Sequence, residues 1–74
     1  MQNLQVVPVQ SKAIQTIIWD NSNNQLLIKF TDSPLFAYPN APKSLFEAFV
    51  KAPSKGKFYH EQIKNKYQPV RLDN

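Results

Sequence analysis

From residue 13 to residue 38 the chain alternates short apolar runs with polar clusters. Residues 13–19 (Ala-Ile-Gln-Thr-Ile-Ile-Trp) are rich in β-branched and aromatic side chains, which suit a strand. Period-two alternation puts Ile14, Thr16 and Ile18 on one face and Gln15, Ile17 and Trp19 on the other. Residues 20–24 (Asp-Asn-Ser-Asn-Asn) favour turns and tolerate left-handed backbone. A second strand is predicted over residues 25–30, with Leu26, Ile28 and Phe30 facing one way and Leu27 and Lys29 the other. Thr31-Asp32-Ser33-Pro34 forms the next turn, and Leu35-Phe36-Ala37-Tyr38 a short third strand. Connections this short imply antiparallel pairing.

The period changes after residue 38. Pro39-Asn40-Ala41-Pro42 stops the sheet, and Pro42 suits the first turn of a helix. Ser44 with Glu47 three residues on reads as a capping box. Leu45, Phe46, Phe49 and Val50 form the one-sided stripe of an amphipathic helix that ends near Ala52, before Pro53. Ser54 can cap a second helix reaching about Tyr67, with Tyr59, Ile63 and Tyr67 at helical spacing. Pro69 closes it, and residues 70–72 form a short tail. Residues 1–10 read as an extended lead-in with edge character, because Pro8 cannot donate within a central ladder. The expected fold is α+β: a three-stranded antiparallel meander followed by two helices packed on one sheet face (βββαα), with residues 11–72 as a single domain.

Size and composition narrow the functional classes. A chain of 74 residues makes one domain, with an expected radius of gyration of about 11 Å. It has no room for a deep ligand cavity beside its own core, so a site must be a surface groove or lie between subunits. Leu, Ile, Val and Phe supply 21 of 74 residues, enough to fold. There is no cysteine, which fits a reducing cytoplasm. Neither a membrane-length apolar run nor a signal-peptide pattern is present in the sequence. The expectation is a soluble cytoplasmic module.

Charge points further. Lys12, Lys29 and Lys43 cancel Asp20, Asp32 and Glu47 within residues 1–50. Lys51, Lys55, Lys57, Lys64, Lys66 and Arg71 face only Glu61 and Asp73 in the remainder, so the whole net charge of +4 lies in the last third. A sector of that kind attracts polyanions or phosphorylated small molecules, and also serves simply as a solvated face.

Catalytic chemistry is poorly supplied. His60 is the only histidine, and its neighbour Glu61 points roughly 100° away on a helix. No His, Cys or carboxylate cluster has metal-ligand spacing, and Gly56 is the only glycine, so no phosphate-cradling glycine loop exists. No enzyme and no cofactor are expected. Ser54-Lys55-Gly56-Lys57 is the most suggestive segment: it opens the second helix, where unpaired N–H groups point outward, and two lysines flank a residue that lets a ligand approach the backbone. The bland reading is a capped helix with solvated lysines. Phe36 and Tyr38 share one face of the third strand, as core residues or as an exposed platform for base stacking.

Taken in order, these residues resemble the KTSC domain, a short module named for its occurrence at the C-terminus of some lysyl-tRNA synthetases. Ser11-Lys12-Ala13-Ile14 resembles its opening serine and isoleucine, Trp19-Asp20 its Tyr-Asp pair, and Phe36-Ala37-Tyr38 its Tyr-x-Tyr motif. Pro42 matches the proline before the first helix. Ser54-Lys55-Gly56-Lys57-Phe58-Tyr59, then Ile63 and Tyr67, resemble the closing Ser-x-Gly-Lys-Tyr-Phe-Asn, Ile and Tyr. The departures are Phe36, which lacks a hydroxyl, His60 in place of asparagine, and Ser33-Pro34 in place of a glycine turn. The resemblance implies a free-standing bacterial or phage member, and its synthetase context implies RNA.

The expected function is a non-catalytic binding module for a phosphate-bearing nucleotide ligand, most simply single-stranded RNA. Ser54, Lys55, Gly56 and Lys57 would hold phosphate, Lys64, Lys66 and Arg71 would extend the positive track, and Phe36, Tyr38, Tyr59 and His60 are candidate stacking groups. A second reading is a phage or bacterial homo-oligomer that sequesters a small nucleotide messenger between subunits. A third is a protein-interaction module using the sheet or the lead-in edge.

Overall fold

A computed structural model of the chain describes residues 3–72. Its elements are strands β1 (Leu4–Pro8), β2 (Ile14–Asp20), β3 (Gln25–Phe30) and β4 (Leu35–Tyr38), then helices α1 (Lys43–Lys51) and α2 (Lys55–Phe58), and last β5 (Val70–Arg71). A π-helical turn, Tyr59–Ile63, continues α2, with the Lys64 N–H donating to the Tyr59 carbonyl at 2.9 Å. The radius of gyration is 11.2 Å.

Among the described residues the sheet has five strands in the order β1-β2-β3-β4-β5, every neighbouring pair antiparallel. The three-stranded expectation is therefore wrong at both ends. The lead-in is an edge strand: the Asn21 N–H donates to the Asn3 carbonyl at 2.8 Å and the Val9 N–H to the Gln15 carbonyl at 3.1 Å. That parity turns the odd residues of β1 toward β2 and the even ones outward. Pro8, an even residue, lacks its N–H where no ladder bond would form, so it is accommodated without loss. The tail is the opposite edge, with Val70 beside Ala37 and Arg71 beside Phe36. The two helices precede this last strand.

A bulge resets the faces of β2. Ile14 pairs with Phe30 but Thr16 pairs with Lys29, so Gln15 is the extra residue. Ile14 consequently joins Ile17 and Trp19 on the helix-covered face, not Thr16 and Ile18 as simple alternation predicts. Leu26, Ile28 and Tyr38 share that face, and Phe46, Phe49 and Ile63 close over it. Phe49 stacks on Phe58, centroids 5.0 Å apart and planes 14° apart, which ties α1 to α2.

Helix limits also differ from expectation. Pro42 is the N-cap of α1 with no side-chain cap bond, so the Ser44–Glu47 box is not used. Ser54 does cap α2, its Oγ accepting from the Lys57 N–H at 3.3 Å. The second helix stops at Ile63 instead of near Tyr67, and the Lys66 and Tyr67 N–H groups close a turn on the Ile63 carbonyl at 3.0 and 3.1 Å.

Candidate functional site

The predicted phosphate-site residues fall into four places. Ser54, Lys55 and Gly56 line an open groove of about 610 Å³ between the α1–α2 junction and the β1–β2 connection. Its opposite wall is Val7 to Ala13, and therefore includes Ser11 and Lys12. Lys64 and Lys66 line a separate concavity with Tyr67, Gln68 and Pro69. From the start of α2 to Lys64 the helix rises by roughly 13 Å. Lys57 lies on another side of α2, beside Pro53, Phe58 and Glu61, and Arg71 lies at the far sheet edge.

Each groove wall is fixed locally. The Ser11 Oγ accepts from the Ala13 N–H at 3.4 Å. Thr31 holds the same connection from the β3–β4 turn, its Oγ1 donating to the Lys12 carbonyl at 3.1 Å and its N–H to the Ala13 carbonyl at 2.9 Å. On the other wall the Lys55 Nζ donates to the Ala52 carbonyl, which fastens the helix junction. Lys12 is exposed. Gly56 has ordinary backbone geometry, since no glycine takes a positive φ, and a Cβ built on it meets nothing within 4 Å. The fold itself does not require glycine there.

The aromatic candidates form a different cluster. Tyr38 is a core residue, 1% exposed, and offers no free face for stacking. Its hydroxyl donates to the Tyr59 hydroxyl at 3.5 Å. Burial, then Tyr59, holds its pKa well above the ordinary tyrosine range. Phe36 packs edge-on against Phe30 on the same covered face. Tyr59 is half-buried, edge-on to Phe30 at 5.2 Å and to His60 at 5.7 Å, which leaves His60 as the exposed ring of the set. Reading the sequence missed Ser11 and Lys12 as site residues. Lys12 cancels in the charge count of its own half, and only the topology carries it opposite Lys55.

Among the described residues, no group of three or more His, Asp or Glu side chains could hold a metal ion. No helix of the described residues is long and apolar enough to cross a membrane.

The model for the KTSC domain matches residues 10–67. A protein of Tsukamurella paurometabola is 29% identical over 65 residues, covering 88% of this chain and 97% of the relative. The crystal structure of a KTSC domain protein from Yersinia pestis superposes with a TM-score of 0.87 at 31% identity, covering 96% of this chain and 100% of that one.

Proposed function

This chain belongs to the KTSC domain family, and from that premise we propose that it is a non-catalytic cytoplasmic module that binds phosphate-bearing nucleotides, most simply single-stranded RNA. One observation carries the reading: Ser11-Lys12 and Ser54-Lys55-Gly56, more than forty residues apart in sequence, converge on one groove. Lysines on both walls supply a positive field for a phosphate between them. Glycine within a helix costs about 0.5–1 kcal/mol relative to alanine, and nothing in the fold asks for it. Close approach of a ligand to the backbone would give that glycine a use. Lys64 and Lys66, in the turn that follows this helical segment, extend the positive surface for a chain longer than one nucleotide, and His60 is the exposed ring beside it.

The test is residue-resolved. Isotopically labelled protein titrated with a short single-stranded RNA should show amide shifts at Ser11, Lys12 and residues 54–57 in one saturating step. Shifts confined to other surfaces, with these amides unmoved, would overturn the placement.

A further inference from the structure

We propose that β1 is a dimerisation edge, on which a second copy of this chain adds its own β1 antiparallel about a two-fold axis at Val6. The inference does not depend on what the neighbouring groove binds, although Val7 and Pro8 border both. It begins with the backbone. Leu4 and Val6 direct their N–H and C=O groups away from β2, at an edge where the sheet has no further strand among the described residues. Monomeric proteins blunt such edges with charge, proline or bulges. The run Leu4-Gln5-Val6-Val7-Pro8 has no charged residue, and its only blunting device is Pro8 at the very end.

Side chains on both faces agree. On the helix-free face Val6, Ile18, Leu27, Ala37 and Val70 are cross-strand neighbours in turn, one apolar row over all five strands. Val6 is 56% exposed and Leu4 41% exposed, at the end of that row where a further strand would pack. Lys29, which lies on the same face, has its Nζ turned to the Phe30 and Ser33 carbonyls at 2.6 and 2.7 Å. On the helix-bearing side, an apolar groove of about 380 Å³ separates β1 from α1, lined by Gln5, Val6, Val7, Phe46, Val50 and the charged pair Glu47 and Lys51. A strand added to an edge places alternate side chains into such a groove.

The occupant is a second copy because the edge is complementary to itself. A two-fold axis at Val6 lets the two Val6 residues exchange both backbone bonds and lets each Leu4 N–H donate to the second copy's Pro8 carbonyl. Pro8 has no N–H to return to the second copy's Leu4 carbonyl, so the register carries four backbone bonds, two at the Val6 pair and one from each Leu4. The same axis runs the two α1 helices antiparallel, so that Glu47 of one copy is set against Lys51 of the other. An isologous contact of this kind closes at two subunits. The product is a continuous ten-stranded sheet.

Two variants separate this arrangement from its alternatives. Val6→Pro removes an outward N–H without touching the β1–β2 ladder, and Val6→Cys introduces the only cysteine of the chain. Residues facing each other in a hydrogen-bonded antiparallel pair lie with Cα atoms about 5.5 Å apart, within disulfide reach. Light scattering of the wild-type chain should give twice the 8.6 kDa chain mass. Val6→Pro should keep the wild-type circular dichroism and raise the dimer dissociation constant by about tenfold or more. Mild oxidation of Val6→Cys should yield a covalent dimer. A wild-type mass of one chain up to millimolar concentration would overturn the proposal. So would a dimer that forms equally well with Val6→Pro and does not crosslink through Val6→Cys.

Discussion

The hydroxyl of Tyr38 lies 3.5 Å from that of Tyr59, and this contact joins the last strand before the helices to the turn that continues α2. Tyr38 is buried at the sheet surface, while Tyr59 is only half-buried. Tyr38→Phe keeps the ring and removes the donor, and the Tyr59 hydroxyl can turn to water. A loss of about 0.5–1.5 kcal/mol is expected in denaturant unfolding.

The same pair sets an alkaline limit. The pKa of Tyr38 is raised by burial and then by Tyr59. A group with a raised folded-state pKa contributes stability that is intact below its unfolded value, about 10 for tyrosine, and is lost as pH rises toward the folded value. Stability should therefore fall above roughly pH 10, and Tyr38→Phe should fall less steeply over that range. Parallel slopes for the two proteins would contradict the assignment.

The β2–β3 turn has the opposite sign. The Asp20 carboxylate accepts from the Asn23 side chain at 2.9 Å and from the Ser22 and Asn23 N–H groups at 2.9 and 3.3 Å. The Asn23 side chain is the largest cause of its lowered pKa, which burial partly opposes. Stability from Asp20 is thus present above about pH 4 and lost as pH falls through the folded value. Asp20→Asn should flatten the acid limb of the stability curve. In the same turn Asn24 has a φ of 52°, so Asn24→Ala should cost about 1 kcal/mol and Asn24→Gly much less.

Much of the fold is legible in the sequence, and the exceptions have identifiable causes. The meander of β2, β3 and β4 is local: each strand is bounded by turn residues, and each connection is short. β1 and β5 are not local. β1 carries a proline whose harmlessness depends on hydrogen-bond parity, and β5 is two residues long, defined only by the β4 edge that receives it. The bulge at Gln15 leaves no sign in a period-two pattern, which is why Ile14 is assigned to the wrong face. At the candidate site, Ser54 and its neighbours show their chemistry locally, whereas Lys12 needs the tertiary fold to bring it opposite Lys55.

Gly56 separates stability from binding. With open space where a Cβ would sit, Gly56→Ala should raise stability by about 0.5–1 kcal/mol through helix propensity. The added methyl lies on the lining of the groove and should weaken nucleotide binding in the same protein. A variant that is more stable and binds as tightly would remove the argument from close backbone approach.

The most direct measurement is fluorescence anisotropy of a labelled single-stranded RNA titrated with the protein over a series of salt concentrations. The account predicts saturable binding that weakens steeply with salt, with a logarithmic slope of roughly 0.7 for each phosphate neutralised. Lys12→Gln should reduce that slope by about one phosphate equivalent without changing the fold. No binding at low salt, or binding indifferent to salt and to Lys12, would contradict it.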